Sequence, residues 1–343
     1  MIERLMRRAA LGLALAIGGA VAAQAAQVDA IAILVPEAAT DFGWNQQGVE
    51  SAVAAADAAG VEVIVAEGLG YGDIRPTLRE IAADGASLMI AHASGYNTAA
   101  PEIAEETGVP VAIVDRADAL VPGLVADYTL FGHEGAYLAG VMAATLTRTG
   151  TVGIVVSDDT PSWNAQSAGF AQGVRATDPD VRIVYAVIGP AAYADAAGGN
   201  RVTAIVIAAG ADIVFGQGDG SSFGMLQAVE TIPAIDGGKV LFIDVIGDKS
   251  SIDKGHLLTS VLWDLTPVYT AMIEDLRDDT FGTRSYAIGL ADNSVRLLQT
   301  DNIPADVWEE VMAVRQELVD GTITLEPVFD DAGVRALVTS VAE

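Results

Sequence analysis

Short apolar runs alternate with alanine-rich, helix-patterned segments along most of this chain. Ile31 to Val35, Val61 to Val65, Ser87 to Ala91 and Val109 to Val114 read as strands, with helices near 45–59, 74–84 and 98–107 between them. A second series repeats the pattern: Val152 to Val156, Val181 to Val187, Ile213 to Gly216 and Val240 to Asp244, with helices near 165–176, 194–209 and 221–230. Near-continuous apolar strands suit a parallel sheet covered on both faces. Regular β-α alternation implies right-handed crossovers in such a sheet. Two series therefore predict an α/β chain of two doubly wound parallel-sheet lobes with a cleft between them. Val125 to Phe131 is the first candidate crossing. Leu257 to Leu262, a helix near 266–278, Ser294 to Leu298 and a helix near 305–318 are assigned to further crossings. The expected division is 26–130 plus about 257–290 for the first lobe, and 131–256 plus about 291–343 for the second.

The first 25 residues break this pattern. Arg4, Arg7 and Arg8 precede an apolar stretch from Ala9 to Val21, and Ala23-Gln24-Ala25 follows as a small-residue cleavage site. This is the form of a secretory signal peptide, and the run is shorter than the roughly 18 residues of a spanning helix. Arg7-Arg8 lacks the full twin-arginine context, so general export is the better reading. The chain has no cysteine. Disulfides, thiolate metal sites, catalytic thiols and a lipidated cysteine anchor are thereby excluded. The expectation is a soluble monomer in a bacterial periplasm, with no direct lipid anchor. Its net charge of −28 disfavours a nucleic acid polymer or an anionic membrane as partner.

Chemistry concentrates in one repeated dipeptide. Trp44-Asn45 and Trp163-Asn164 each follow an apolar run and open a helical segment, in a chain with four tryptophans. Open α/β sheets bind ligands outside the carboxyl ends of their strands. One such turn from each lobe would present two indole faces and two amides to a common cleft, an arrangement suited to a flat, polar-edged molecule. Stacking on an aromatic side chain is worth about 1–3 kcal/mol per base. The plainer alternatives are an indole packed at the lobe interface and asparagines that cap their helices. Asp115 ends a strand at the same cleft, where it would need a partner, unless it pairs with Arg116. Gly216-Gln217-Gly218-Asp219-Gly220 follows another strand. It falls short of a dinucleotide fingerprint and reads as a tight turn with Asp219 as a possible cleft contact.

Several motifs, in order, resemble the basic membrane protein family of substrate-binding proteins for ABC transporters. Asp41-Phe42-Gly43-Trp44-Asn45-Gln46 is similar to the family's Asp-x-Ser-Phe-Asn-Gln turn, and Val111-Ala112-Ile113-Val114-Asp115 to its fourth strand. Gly135-Ala136-Tyr137-Leu138-Ala139-Gly140, then Gly153, looks like its crossover helix, and Gly169 to Val174 and Leu258 to Val261 also fit. The resemblance implies a type I periplasmic binding fold, a purine nucleoside or related ligand, and an ABC permease of the inner membrane as partner. Together with the strand-end reading, it places Phe42, Trp44, Asn45, Ser94, Asp115, Trp163, Asn164, Asp219, Asp244, Asp248 and Trp263 at the ligand, Trp263 by the family position alone. The departures matter for the ligand. Ala93-Ser94 replaces the family's Gly-Phe, Ile246 the first acid of its Asp-x-Asp, and Trp263 its Lys. In nucleoside-binding members that acid and that Lys are associated with ribose hydroxyls.

An enzyme is the weaker reading. His92, His133 and His256 lack metal-ligand spacing, and no serine sits in a nucleophile elbow. A hydrolase using cleft carboxylates, or a sensor presenting a sugar, flavin-like or signalling molecule to a membrane receptor, are the alternatives. No cofactor or metal is implied.

Overall fold

The structure is a computed structural model that describes residues 27–339. The expected signal peptide lies outside them. Two six-stranded sheets carry the chain. The first is built from β1 (Ala30–Leu34), β2 (Glu62–Ala66), β3 (Leu88–Ala91), β4 (Val111–Val114) and β5 (Val125–Leu130), joined late by β11 (Tyr286–Ile288). Its order is β11-β5-β4-β3-β1-β2, and every pairing is parallel. Helices α1 (Trp44–Ala59), α2 (Arg75–Ala83) and α3 (Ala99–Thr107) connect its strands.

The second sheet repeats the plan. Strands β6 (Thr151–Val156), β7 (Arg182–Val187), β8 (Ile213–Gln217), β9 (Leu241–Ile246), β10 (Leu257–Trp263) and β12 (Val295–Leu297) take the order β12-β10-β9-β8-β6-β7. Only β12 runs antiparallel. Its helices are α4 (Gly132–Leu146), α5 (Pro161–Thr177), α6 (Ala196–Ala208) and α7 (Ser221–Thr231). Strands β1, β3, β4 and β6 are buried along their whole length, as helices on both faces require. The α4 and α5 helices pack through glycine. A Cβ at Gly140 would fall 2.1 Å from the Phe170 carbonyl oxygen, and one at Gly173 would fall 2.1 Å from that of Tyr137.

Three crossings join the lobes: β5 to α4, β10 to α8 (Thr266–Arg277), and β11 to β12. One boundary differs from expectation. Leu257–Trp263 was expected in the first lobe, yet it pairs in parallel with β9, Val261 opposite Val245. The return to the first lobe thus falls after Trp263, and α8 packs on α1. The run Leu-Leu-Thr-Ser-Val-Leu-Trp is apolar on both faces, so its pattern shows that it needs neighbours without showing in which sheet. Helices α9 (Ala305–Val319) and α10 (Asp331–Thr339) then cover α4 and α5. Among the described residues no helix is long and apolar enough to cross a membrane.

Candidate functional site

The carboxyl ends of both sheets face each other across a cavity of about 290 Å³, near the small end of the size range of small-molecule sites. Trp44, Tyr71, Ala93, Ser94, Val114, Asp115 and Leu130 line it from the first lobe. Thr160, Ser162, Trp163, Ala191, Tyr193, Asp219, Ile246 and Trp263 line it from the second. The lobes are in contact around it. The Trp44 amide donates across the gap to Asp219 Oδ1 at 3.1 Å, and Lys249 Nζ donates to the Phe42 carbonyl at 2.8 Å. Phe42 and Phe223 meet edge to face at 6.1 Å, and Tyr71 and Tyr193 meet at 5.6 Å.

Trp44 is held from several directions. Its ring stacks on His92 with centroids 3.6 Å apart and planes 12° from parallel, and its Nε1 donates to the His92 carbonyl at 2.9 Å. His92 Nε2 lies 3.0 Å from the Trp44 carbonyl, which can only accept. The proton therefore sits on Nε2, and Nδ1 is the acceptor facing the Tyr128 and Tyr269 hydroxyls at 2.8 and 2.9 Å. Complete burial pushes the imidazole down to about 3, so it stays neutral. Gly48 makes room for this ring, since a Cβ there would lie 2.3 Å from Nε2.

The two cavity carboxylates differ. Asp115 is open to the cavity, accepts from the Leu130 amide at 3.0 Å, and is pushed up to about 6 by desolvation between the lobes. Asp219 is buried against the opposite lobe. Desolvation first, then the neighbouring charge of Asp41, push it up to about 8. It is predominantly a neutral carboxyl group at neutral pH when the cleft is shut.

Of the eleven residues expected at the site, Trp44, Ser94, Asp115, Trp163, Asp219 and Trp263 line the cavity. The other five do not. Asn45 donates to Asp41 at 2.7 Å and accepts from the Glu37 amide at 3.2 Å, so it fixes the turn before α1. Asn164 donates to Asp159 at 2.7 Å and to the Phe329 carbonyl at 3.2 Å, tying α5 to the C-terminal segment. Neither caps its helix: the caps are Gly43 and Thr160, and the Asp41 carboxylate accepts from the amides of Gly43, Asn45 and Gln46. Asp244 lies beneath the cavity in a fully buried pair with Lys249, 2.6 Å away. Asp248 accepts from the Ser250 amide at 2.8 Å on an exposed turn. Phe42 meets the second lobe beside the cavity rather than within it.

Tyr71 and Tyr193 escaped sequence reasoning, although each lies in the turn after the second strand of its sheet and the strand-end rule reaches them. Lys249 escaped it too, because nothing local shows which carboxylate a lysine meets. Among the described residues no group of histidine and acidic side chains has the geometry of a metal site.

Two lobes of this topology, crossed three times and closed on a cavity at their strand ends, define a bilobal solute-binding protein of the type I periplasmic binding class. The chain belongs to the family of PnrA-like ABC transporter substrate-binding proteins (Bmp), whose model matches residues 28–326. Proteins of this family bind small molecules and work with ABC permeases.

A nucleoside-binding protein of an ABC transporter from Lactococcus lactis is 24% identical over 59% of this chain and 60% of its own. A purine-binding protein of Brucella abortus is 25% identical over 78% of this chain and 74% of its own. A T-cell-stimulating antigen of Listeria innocua is 28% identical over 56% of each chain, so the chain spans little more than half the length of some curated relatives it matches. An ABC transporter solute-binding protein of Aeropyrum pernix superposes with a TM-score of 0.76 at 19% identity, over 90% of this chain and 98% of the other.

Proposed function

We propose that this protein is the periplasmic solute-binding component of an ABC importer, and that its lobes close on a flat nitrogen heterocycle, a purine base or nucleoside. The observation that carries the reading is the interlobe cavity, lined by five aromatic rings with hydroxyl and carboxyl groups between them. Trp44 and Trp163 enter it from opposite lobes, so each lobe supplies a ring and closure completes the stack. The first lobe takes the ligand, the second adds its contacts, and the permease reads the closed form. The purine- and nucleoside-binding relatives point to the same ligand class. Export rests on the basic and apolar leader ending near Ala25, and the absence of cysteine leaves no lipid anchor.

The free base is the preferred form of the ligand. Ile246 and Trp263 stand on the cavity wall where the family resemblance expects an acid and a lysine for ribose. A buried sugar hydroxyl without a partner costs roughly 1–3 kcal/mol, a penalty that a base does not incur. Mass spectrometry of small molecules released from the purified protein, followed by paired titrations of adenine and adenosine, tests the reading. The base should bind at least as tightly as its ribonucleoside. A nucleoside preference of tenfold or more would show that other groups hold the ribose, and binding of neither would remove the purine assignment.

A further inference from the structure

The cavity has no basic side chain on its wall. Its acidic side chains are Asp115, the one that carries a charge at neutral pH, and Asp219, which burial keeps largely neutral, set among the rings of Trp44, Tyr71, Trp163 and Tyr193. The sign persists behind the rings. The Tyr71 hydroxyl donates to Glu37 at 3.2 Å and the Tyr193 hydroxyl to Asp158 at 2.8 Å, so each phenol leans on an anion and its ring face is the more electron-rich for it. The neighbouring cations are committed elsewhere. Lys249 is fully buried between Asp244 and the Phe42 carbonyl, and Arg116 turns away from Asp115 to Asp118 at 2.9 Å.

We propose that the cleft selects by charge: a flat heterocycle with a cationic ring nitrogen binds ahead of its neutral counterpart, with the nitrogen at Asp115, and an anionic counterpart is rejected. This deepens the solute-binding reading by assigning the charge class of the ligand. Indole and phenol faces attract cations by up to about 2 kcal/mol when desolvated. Asp115 faces the cavity with no counter-charge beside it, since Arg116 is held by Asp118, and a ligand cation supplies one. An anion meets the same carboxylate at low dielectric, where repulsion is strongest. The −28 charge of the chain favours approach of cations in the same sense.

The test compares three purines of similar size and different charge by calorimetry on the mature protein: 7,9-dimethyladeninium with a fixed positive charge, neutral 9-methyladenine, and purine-6-carboxylate. The cation should bind about tenfold tighter than the neutral ring, and the carboxylate should give no heat. Asp115→Asn should shrink the cation-to-neutral ratio by about tenfold, whatever it does to either affinity alone. Equal or tighter binding of the neutral purine by the unaltered protein overturns the proposal, as does a ratio that survives Asp115→Asn. Silence from all three purines counts against the purine reading instead. The charge selection is then decided by 1-methylnicotinamide, nicotinamide and nicotinate, and it fails unless they bind in that order.

Discussion

Replacing Lys249 by methionine probes the contact on which closure rests. Its ammonium lies 2.6 Å from Asp244 Oδ2 and 2.8 Å from the Phe42 carbonyl, with no exposure to solvent. Asp244 and Lys249 belong to the second lobe and Phe42 to the first, so one side chain joins a buried ion pair to the lobe interface. Methionine keeps most of the stem volume, and packing loss is small. Removing one partner from a buried pair costs about 3–5 kcal/mol because the other charge is left uncompensated. Burial already raises the Asp244 carboxyl and Lys249 is the main influence lowering it. The variant therefore protonates Asp244, which limits the loss to that range.

Thermal unfolding of the unliganded variant should fall by on the order of 10 °C, at a few degrees per kcal/mol for a chain of this size. Ligand affinity should weaken as well, because the Lys249–Phe42 hydrogen bond joins the two lobes that enclose the cavity; an unmade buried hydrogen bond is worth roughly 1–3 kcal/mol. Adding Asp244→Leu removes the stranded carboxylate, and swapping both members of a buried pair for apolar residues is often neutral. The double variant should therefore be more stable than Lys249→Met alone. A shift below 2 °C for the single variant, or a double variant losing the full sum of the singles, would refute the coupling.

Trp44→Ala and Trp163→Ala should each weaken ligand binding by about 1–3 kcal/mol while the fold persists; unchanged calorimetric affinity in both would end the stacking argument, and unfolding of either would assign that indole to the core. The Asp219 carboxyl is raised from 3.8 to about 8 in the folded chain, so its contribution is fully present below pH ~4 and is lost as pH rises to about 8. Unfolding midpoints of the unliganded protein should fall across that window, and Asp219→Asn should flatten its upper part, from about 6 to about 8, where Asp115 has already ionised. A slope there that persists in the variant would place the titrating group elsewhere.

The two lobes were legible because strands buried on both faces must be apolar throughout, and these runs recur with helices between them. Tyr286–Ile288 was not legible, since three residues carry no period, and Asp331–Thr339 becomes a recognisable helix only against α5. The indoles were legible by their position after β1 and β6. Asn45 and Asn164 shared that position but turned to Asp41 and Asp159, because an amide in the first turn of a helix satisfies the nearest carboxylate before any ligand. His92, which orients Trp44 by stacking and two hydrogen bonds, lies 48 residues from it in sequence. No local pattern encodes such a contact.

Backbone strain marks the same rim. Phe42, Asp115, Ala191 and Ile246 adopt left-handed φ of 51°, 53°, 51° and 70°, and each lies beyond or at the carboxyl end of a strand. Aspartate tolerates this region, whereas a β-branched residue in it is an outlier, at about 1–3 kcal/mol. Asparagine at 246 would relieve that strain while giving up about 1.5–3 kcal/mol of apolar burial, so Ile246→Asn should leave stability little changed. A side chain on the cavity wall that can both donate and accept should instead alter the ligand preference. One partner for a ribose hydroxyl recovers roughly 1–3 kcal/mol, which moves the adenosine-to-adenine affinity ratio about tenfold toward the nucleoside. Paired titrations of the variant and the unaltered protein read that ratio directly. If it does not move, Ile246 is strained for the packing of β9 and not for the ligand, and the exclusion of ribose must be sought at Trp263.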